Sequence, residues 1–285
     1  FRHALVRDAA YGLLTDGDKR LGHKLAAAFL AAADPQINPA VLGHHFRKAE
    51  LFEQALQHYL MAGDRASGLS LLEEAHTHYV AADEAFRRLP DSVALYRLHV
   101  DLLIKLVHSG ALSVGGDSHF RLLDEARALL QKLHELGATE DKDRLRTARV
   151  DFYSGRIYNY VGQPGRAIHY FQRVLPVAQE FGDQEMLILT AQVFTLSEFA
   201  QGQVGKAKEA MKPMLGPVER VLGINPDTIR CLMCPAAVLA ANGQVQAARQ
   251  VVGHVTNLLL PSKQESTTRV AWLMLRIVCS FWAAE

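Results

Sequence analysis

Two cysteines in this sequence have the spacing of a metal-binding or redox pair. Cys231 and Cys234 form a Cys-x-x-Cys motif. Zinc requires two further ligands in reach, and no second such pair occurs. A redox pair of this kind belongs to a thioredoxin-like βαβ context, which the sequence also lacks. We therefore predict that both thiols pack in the core between helices.

The thirteen histidines give no chelating pattern. His76 and His78 are two residues apart, and His44 and His45 are adjacent. On a helix neither pair points to one side, so neither pair can bind one ion together. Neither pair lies in a His-Glu-x-x-His motif. The sequence therefore predicts no metal site.

The segment GQVGK, Gly202–Lys206, is the only one that partly resembles a phosphate-binding loop in sequence. That loop needs four residues between its glycines, a Ser or Thr after its lysine, and a preceding strand. Here Ala207 follows the lysine, and the context is a turn between helices. The sequence also contains no nucleophile elbow and no dinucleotide fingerprint. We predict no catalytic residue and no cofactor for this chain, which is therefore not expected to be an enzyme.

Charge and cysteine content restrict the classes of partner and compartment. The 285 residues include 31 basic and 30 acidic side chains, a net charge of +1. This balance argues against a protein that grips nucleic acid electrostatically. Three cysteines are too few for a disulfide framework, which favours the reducing cytoplasm. Apolar runs such as VTNLLL are far shorter than the about 20 residues that cross a bilayer, so we expect no membrane segment.

Hydrophobic periodicity predicts an all-α chain. Apolar residues recur at helical spacing along it, and alternation of period two is absent. Prolines such as Pro35, Pro90, Pro164 and Pro226 lie where the periodicity restarts, as expected near helix ends. The chain thus indicates roughly a dozen helices joined by short turns.

Three stretches of the second half repeat one pattern. Gly-Gln pairs begin at Gly162, Gly202 and Gly243, at intervals of 40 and 41 residues. In each copy a small residue follows five positions after the glycine, and large apolar residues follow four and seven positions later. These small residues are Ala167, Ala207 and Ala248. A small residue lets two helices approach closely, and the Gly-Gln pair marks the turn between them. Copies of one hairpin bury their faces by stacking into a solenoid.

The repeats resemble the tetratricopeptide (TPR) family. In the clearest copy, Gly155 and Tyr158 match the small and aromatic positions of the first helix, and Ala167 and Phe171 match the small and large positions of the second. The resemblance implies a right-handed α-solenoid of helical hairpins, with its clearest repeats at 146–182, 185–222 and 226–260. Because the period exceeds the usual about 34 residues, we expect helices longer than standard.

The resemblance also implies a binding groove, because certain positions on the first helix of each TPR hairpin line the concave surface. Arginine, asparagine and aromatic side chains there suit an extended peptide. Ordinary solvated or inter-helix roles remain the alternative for every one of them. The candidates are Arg149, Phe152, Arg156, Asn159 and Tyr160 in the first copy, Leu189, Gln192, Leu196 and Phe199 in the next, and Arg230 and Met233 in the third.

The order of segments at the start of the chain resembles the region behind the nucleotide-binding core of bacterial STAND-class signalling ATPases, which are often fused to Ser/Thr kinase, nucleotide cyclase or DNA-binding domains. Phe1, His3, Leu5 and Arg7 match that family's Phe-x-His-x-Leu-x-Arg motif. The resemblance implies that residues 1–34 end a winged-helix module, that 35–285 form the solenoid, and that His3 senses ATP or ADP bound by the parent chain. The alternative is an ordinary amphipathic helix.

These observations predict a recognition module that binds protein, peptide or other domains of the same chain and regulates a signalling ATPase. Two alternatives stay open. One is a small-molecule inducer bound inside the superhelix, which a closed apolar pocket would favour. The other is self-assembly through the apolar segment LMLRIVCSFW, residues 273–282.

Overall fold

The computed structural model describes residues 4–110, 116–215, 218–222 and 226–259, and these residues form helices and turns without a strand. The prediction of an all-α fold is confirmed. No helix in these ranges is long and apolar enough to span a bilayer. The helices are α1 (Ala4–Gly12), α2 (Asp16–Ala33), α3 (Pro39–Lys48), α4 (Phe52–Gly68), α5 (Leu72–Phe86), α6 (Val93–Gly110), α7 (Gly116–Glu135), α8 (Asp141–Tyr160), α9 (Pro164–Glu180), α10 (Gln184–Ala200), α11 (Val204–Ala210), α12 (Val218–Leu222), α13 (Pro226–Ala241) and α14 (Val245–Leu259).

The chain divides into two compact units, residues 1–139 and 140–285. In the first unit, each helix from α2 to α6 packs against the next one along the chain. In the second, α8 pairs with α9, α10 with α11, and α13 with α14, while α9 and α13 also pack on α10. The predicted boundary at residue 34 falls between α2 and α3, inside the first unit.

The turns between successive helices share one geometry. Gly162, Gly202 and Gly243 have positive φ angles of 77°, 72° and 74°. The glutamine that follows each glycine donates its backbone N–H to a carbonyl five residues earlier, as Gln163 does to Tyr158 at 2.8 Å. This is the Schellman arrangement, in which a left-handed residue ends the helix. The Gly-Gln signal therefore marks the turns as predicted.

Close contacts between small and aromatic residues lock the hairpins. A Cβ atom added to Gly155 would lie 2.7 Å from the ring of Phe171, so the two helices touch as the sequence predicts. The same contact recurs in the first unit between Gly63 and the ring of Tyr79. In both pairs the aromatic residue lies sixteen positions after the glycine. This spacing places the two at the crossing point of consecutive helices.

The second repeat differs from the expectation of long helices. α8 and α9 have 20 and 17 residues, as predicted for the first copy. In the next copy α11 ends at Ala210 and is followed by a 3₁₀ turn, Lys212–Leu215, before the short α12. Pro213 lies in that turn, and proline disfavours the interior of an α-helix because it has no N–H group to donate and its ring clashes with the preceding turn. The prediction of a longer helix is therefore wrong for this copy.

Candidate functional site

The first helices of the hairpins in residues 140–285, namely α8, α10 and α13, carry the predicted groove residues. Arg149, Arg156 and Tyr160 follow one another along α8, Arg156 two turns after Arg149 and Tyr160 one turn after Arg156. Arg149 and Tyr160 are exposed, and Arg156 is half-buried and engaged in contacts with its surroundings. Tyr160 is 82% exposed, which is high for an aromatic residue of a folded protein. Two cations and an aromatic ring thus lie along one element.

Arg149 lies beside the start of the next first helix. Its Nη2 is 3.4 Å from Oδ2 of Asp183, a long contact between partly exposed groups. Asp183 caps α10 by accepting a 2.9 Å hydrogen bond from the backbone N–H of Met186. Because an exposed ion pair of this length contributes little, the forked guanidinium of Arg149 keeps donors for a carboxylate ligand.

Asn159 is held in place from the neighbouring hairpin. Its Oδ1 lies 3.0 Å from Oγ of Ser197, whose Oγ also lies 2.8 Å from the Val193 carbonyl. One hydroxyl proton cannot serve both acceptors. If it goes to Val193, the serine oxygen accepts from an Asn159 N–H with the amide turned over. In either orientation the amide retains at least one N–H for a ligand, and Ser197 fixes where that amide sits.

Four other candidates have different surroundings. Phe152 is only 4% exposed and belongs to the core formed by α8, α9 and α10, so it is removed from the groove set. The position matched the family pattern, but the ring turns toward the helices packed on α8. Gln192 and Phe199 are half-buried on α10, and Phe199 packs on the core beneath it. Arg230 lies on α13, and its side chain is outside the part that the structure describes, as is His3.

The remaining positions of the predicted groove divide in the same way. Leu196 is exposed on α10, and Leu189 is half-buried against the core. Met233 is 4% exposed and packs in the core of the last two hairpins, so it too is removed from the groove set. Among the described side chains, the groove candidates that remain are Arg149, Arg156, Asn159 and Tyr160 on α8 and Leu189, Gln192, Leu196 and Phe199 on α10.

Sequence reasoning missed a pair that fixes α8 against α9. The carboxylate of Asp151 is nearly buried and accepts a 2.9 Å hydrogen bond from Nε of Arg173. The guanidinium of Arg173 also lies over the ring of Tyr170, 4.8 Å from its centre. The ion pair with Asp151 and the contact with the Tyr170 ring together fix the position of the Arg173 guanidinium. Asp151 and Arg173 are 22 residues apart, and no motif in the sequence links them. Their pairing follows only from the packing of α8 on α9.

The cysteines and histidines do not make a catalytic or metal site in the described residues. Cys231 and Cys234 are buried in the core, and burial raises the pKa of the Cys234 thiol to about 12. A thiol of this kind is neither a nucleophile nor a ready metal ligand, so core packing is confirmed. No group of three His, Cys, Asp or Glu residues within the described ranges has the geometry to hold a metal ion.

Comparison with known proteins identifies the fold. No protein-family model matches the chain, and no curated protein matches it in sequence. Solved structures do match. NprR in complex with its cognate peptide NprX has a TM-score of 0.59 at 12% identity, over 95% of this chain and 75% of its own. The fold is a TPR-like helical solenoid.

Two further structures have the same solenoid fold. A Rap protein complexed with Competence and Sporulation Factor has a TM-score of 0.59 at 11% identity, over 96% of this chain and 79% of its own. A putative kinesin light chain of Podospora anserina, with nearly identical TPR-like repeats, has a TM-score of 0.51 at 16% identity, over 72% of this chain and 94% of its own. At these sequence identities the similarity shows the fold alone.

Proposed function

We propose that this chain is a non-catalytic recognition module that binds an extended peptide or protein segment along α8 and α10. The observation that carries the proposal is Asn159, whose amide is fixed by Ser197 of the next hairpin while it keeps donor capacity. A pre-positioned amide can bond to the backbone of an extended chain, and pre-organisation lowers the entropic cost of binding.

The charge along α8 favours an acidic ligand. Arg149 and Arg156 lie two turns apart, and Tyr160 offers a flat exposed ring one turn further on. Arginine and tyrosine are enriched at protein interfaces, and a guanidinium fork pairs with carboxylates. Two of the solved structures that share the fold contain a bound peptide or factor, which supports the choice of ligand class.

A small-molecule inducer is the second candidate. Two of the pockets in the described part of the first unit have volumes of about 290 and 380 Å³, and polar and charged side chains line them together with Leu69, Leu71 and Phe52. Both are open and mixed in polarity rather than closed and apolar, the type expected for an inducer. These pockets give less support to a small-molecule inducer than the surface of α8 gives to a peptide. Self-assembly through residues 273–282 falls on a segment outside the described residues.

We further propose that the module regulates a cytoplasmic STAND-class ATPase. One face of α2 supports this, because Leu21, Leu25 and Phe29 follow one another at helical spacing and are 56%, 60% and 70% exposed. A stripe of this kind indicates a surface that another element covers, and we propose that this element belongs to the same winged-helix module, to which residues 1–34 are assigned. Nucleotide turnover of the full-length parent, measured with and without the solenoid, tests it; identical turnover would contradict it.

A thermal-shift experiment separates the two ligand classes. The whole chain is heated with a panel of short acidic peptides and a panel of small apolar molecules at saturating concentration. We expect a rise in Tm for an acidic peptide, lost in Arg149→Ala and retained in Gln172→Ala, a control on the exposed face of α9. A rise for small molecules alone, insensitive to Arg149→Ala, would overturn the peptide proposal.

A further inference from the structure

Histidines from separate helices meet where α2 packs on α3. Nδ1 of His23 on α2 lies 2.8 Å from Nδ1 of His45 on α3. Nε2 of His23 lies 2.9 Å from the hydroxyl of Tyr11 on α1. The ring of His44 completes the group, with its centre 6.1 Å from that of His23 and 5.8 Å from that of His45. The imidazole of His23 on α2 thus contacts residues of both α1 and α3.

This cluster is one of the contacts that attach α2 to α3. Among the described residues of α2, Ala27 is the buried one, and most others are exposed. The other polar link from α2 to the segment after α3 is an exposed contact of 3.4 Å between Arg20 and Glu50. Exposed ion pairs of this length stabilise little. The contact between His23 and His45 is therefore the shortest polar link that holds α2 on α3 within the described part.

The number of protons decides whether this link exists. Two Nδ1 atoms at 2.8 Å need one N–H donor and one lone-pair acceptor. A single added proton is accommodated, because a fully protonated His23 donates from Nδ1 to His45 and from Nε2 to the oxygen of Tyr11. A second proton on Nδ1 of His45 leaves two N–H groups and two positive charges facing each other. The link then breaks.

We propose that the contact between His23 and His45 is a proton-operated latch, which holds α1 and α2 on α3 at neutral pH and releases them on acidification. The proposal concerns regulation of this junction and stands whether or not α8 and α10 bind a peptide. Histidine pairs suit this role because their protonation falls in the physiological pH range. Release moves the helices that carry the exposed stripe of Leu21, Leu25 and Phe29.

The charges around the pair favour release in acid. Burial, followed by the proximity of His45, His44 and Lys48, lowers the pKa of His23. Burial and the cations nearby also lower the pKa of His44. The titratable and charged groups nearest the pair are Tyr11 on α1 and His44, Arg47 and Lys48 on α3. Beyond them, Lys19 lies over the ring of Tyr11, Arg20 on α2 contacts Glu50, and His58 on α4 stacks on Phe46 of α3.

The sign follows from these pKa directions. A histidine whose pKa is lower in the attached state than in the released state binds protons more readily once released. Attachment is therefore unaffected well above the ordinary histidine value of about 6.5, weakens as the pH falls through that value, and is lost below the lowered values. Because the histidines interact, the protons enter in coupled steps.

Hydrogen exchange of the whole chain tests the latch. Exchange of the α2 amides is followed by mass spectrometry between about pH 7.5 and about pH 5, corrected for the chemical rate and referred to α9. A chelator is present throughout. We expect the protection of α2 to fall about tenfold or more relative to α9 in acid. In His23→Gln, whose amide does not titrate, this pH dependence should disappear.

Two further observations keep the proposal falsifiable. His169→Gln replaces an exposed histidine on α9 and should keep the wild-type pH dependence. If His23→Gln does not fold, the imidazole signals of His23 and His45 in the wild-type chain are titrated by NMR, and two coupled steps are expected. Protection of α2 that does not change with pH, a full response in His23→Gln, or uncoupled titration of the two histidines would overturn the latch.

Discussion

Gly63 and Gly68 lie five residues apart on α4, yet only one of them has room for a methyl group. A Cβ on Gly63 would lie 2.4 Å from the buried ring of Tyr79, whereas nothing lies within 4 Å of one on Gly68. We predict that Gly63→Ala lowers the free energy of unfolding by about 2–3 kcal/mol, the cost of overpacking a core. Urea denaturation measures this change.

The matched control is Gly68→Ala. Alanine favours helix over glycine by up to about 1 kcal/mol, so this variant should be neutral or slightly more stable than the wild type. Equal destabilisation by the two substitutions would show that the close contact between Gly63 and Tyr79 does not exist in solution.

A partly buried carboxylate with two hydrogen-bond donors makes the first unit sensitive to acid. Asp83 accepts hydrogen bonds from Nε2 of His99 at 2.8 Å and from Nε of Arg87 at 2.7 Å. Burial alone would raise the pKa of Asp83, but these hydrogen bonds outweigh it and hold the pKa below its ordinary value. Stability from this group is therefore present above about pH 4 and is lost as the pH falls through the lowered pKa.

The prediction for Asp83 concerns both the size and the pH dependence of stability. Asp83→Asn should cost about 1.5–3 kcal/mol at neutral pH, because hydrogen bonds to a charged group are lost. The difference between variant and wild type should shrink when denaturation is repeated below pH 4. A difference that stays constant down to the acid limit would contradict the role of the Asp83 charge.

Some of these contacts could be predicted from residue types in the sequence, and others could not. Gly155 and Phe171 could be predicted because a small and a large residue recur at fixed offsets in the repeats. The cluster of His23 and His45 could not, because the two residues are 22 apart and belong to helices without a shared motif. The assignment of Phe152 to the groove was wrong because a family position specifies a helix turn but not the burial of its side chain.

At the scale of elements, Ser70 is under local strain in the turn between α4 and α5. It has a φ of 60°, in the left-handed region, where the equivalent residue of later turns is a glycine. The turn is otherwise the same, since Leu71 donates its backbone N–H to the Ala66 carbonyl at 3.0 Å. Non-glycine residues pay roughly 1–2 kcal/mol for this conformation.

Exchanging the residues of two turns tests this strain. Ser70→Gly should raise the free energy of unfolding by about 0.5–1 kcal/mol. Gly162→Ser, which introduces a side chain at a φ of 77°, should lower it by about 1 kcal/mol. Thermal or urea denaturation measures both. Changes of the same sign in the two variants would contradict a common turn geometry.

The turns at Gly162, Gly202 and Gly243 were predictable because glycine marks a left-handed residue in the sequence. The equivalent turn residues Glu50 and Ser70 were not, since neither type favours that region. The break after Ala210 agrees with Pro213, because a proline inside an apparent helix is expected to kink or end it. Proline is tolerated inside α9 at Pro176, so its presence alone does not decide whether a helix ends.

At the scale of the whole molecule, the chain consists of two units with separate cores. Residues 1–139 should therefore unfold cooperatively when produced alone, as a compact unit of this size normally does. In that fragment Gly63→Ala should lower the denaturation midpoint. In the whole chain Gly155→Ala should destabilise the second unit, because its Cβ would meet the ring of Phe171. A fragment without cooperative unfolding would contradict the division.

The repeats predicted the architecture of the second half, where the pattern is strongest. In the first unit the second-helix pattern of small and aromatic residues recurs at Ala55 and Tyr59 and at Ala75 and Tyr79, beside the helical periodicity. The ligand was not predictable in the same way. Groove positions are set by the fold, but the chemistry that they offer depends on which side chains pack inward, as Phe152 and Met233 do. The α8 residues that remain with the chemistry of a peptide site are Arg149, Arg156, Asn159 and Tyr160.

The most direct test of the account is the affinity of peptides for that surface. Peptides are selected from a random library of about seven residues against the whole chain, and Kd is measured for the wild type, Arg149→Ala, Asn159→Ala and the Gln172→Ala control. The account predicts acidic peptides whose Kd rises about tenfold or more in the first two variants and stays unchanged in the control. Selected peptides that bind all four proteins equally would contradict it.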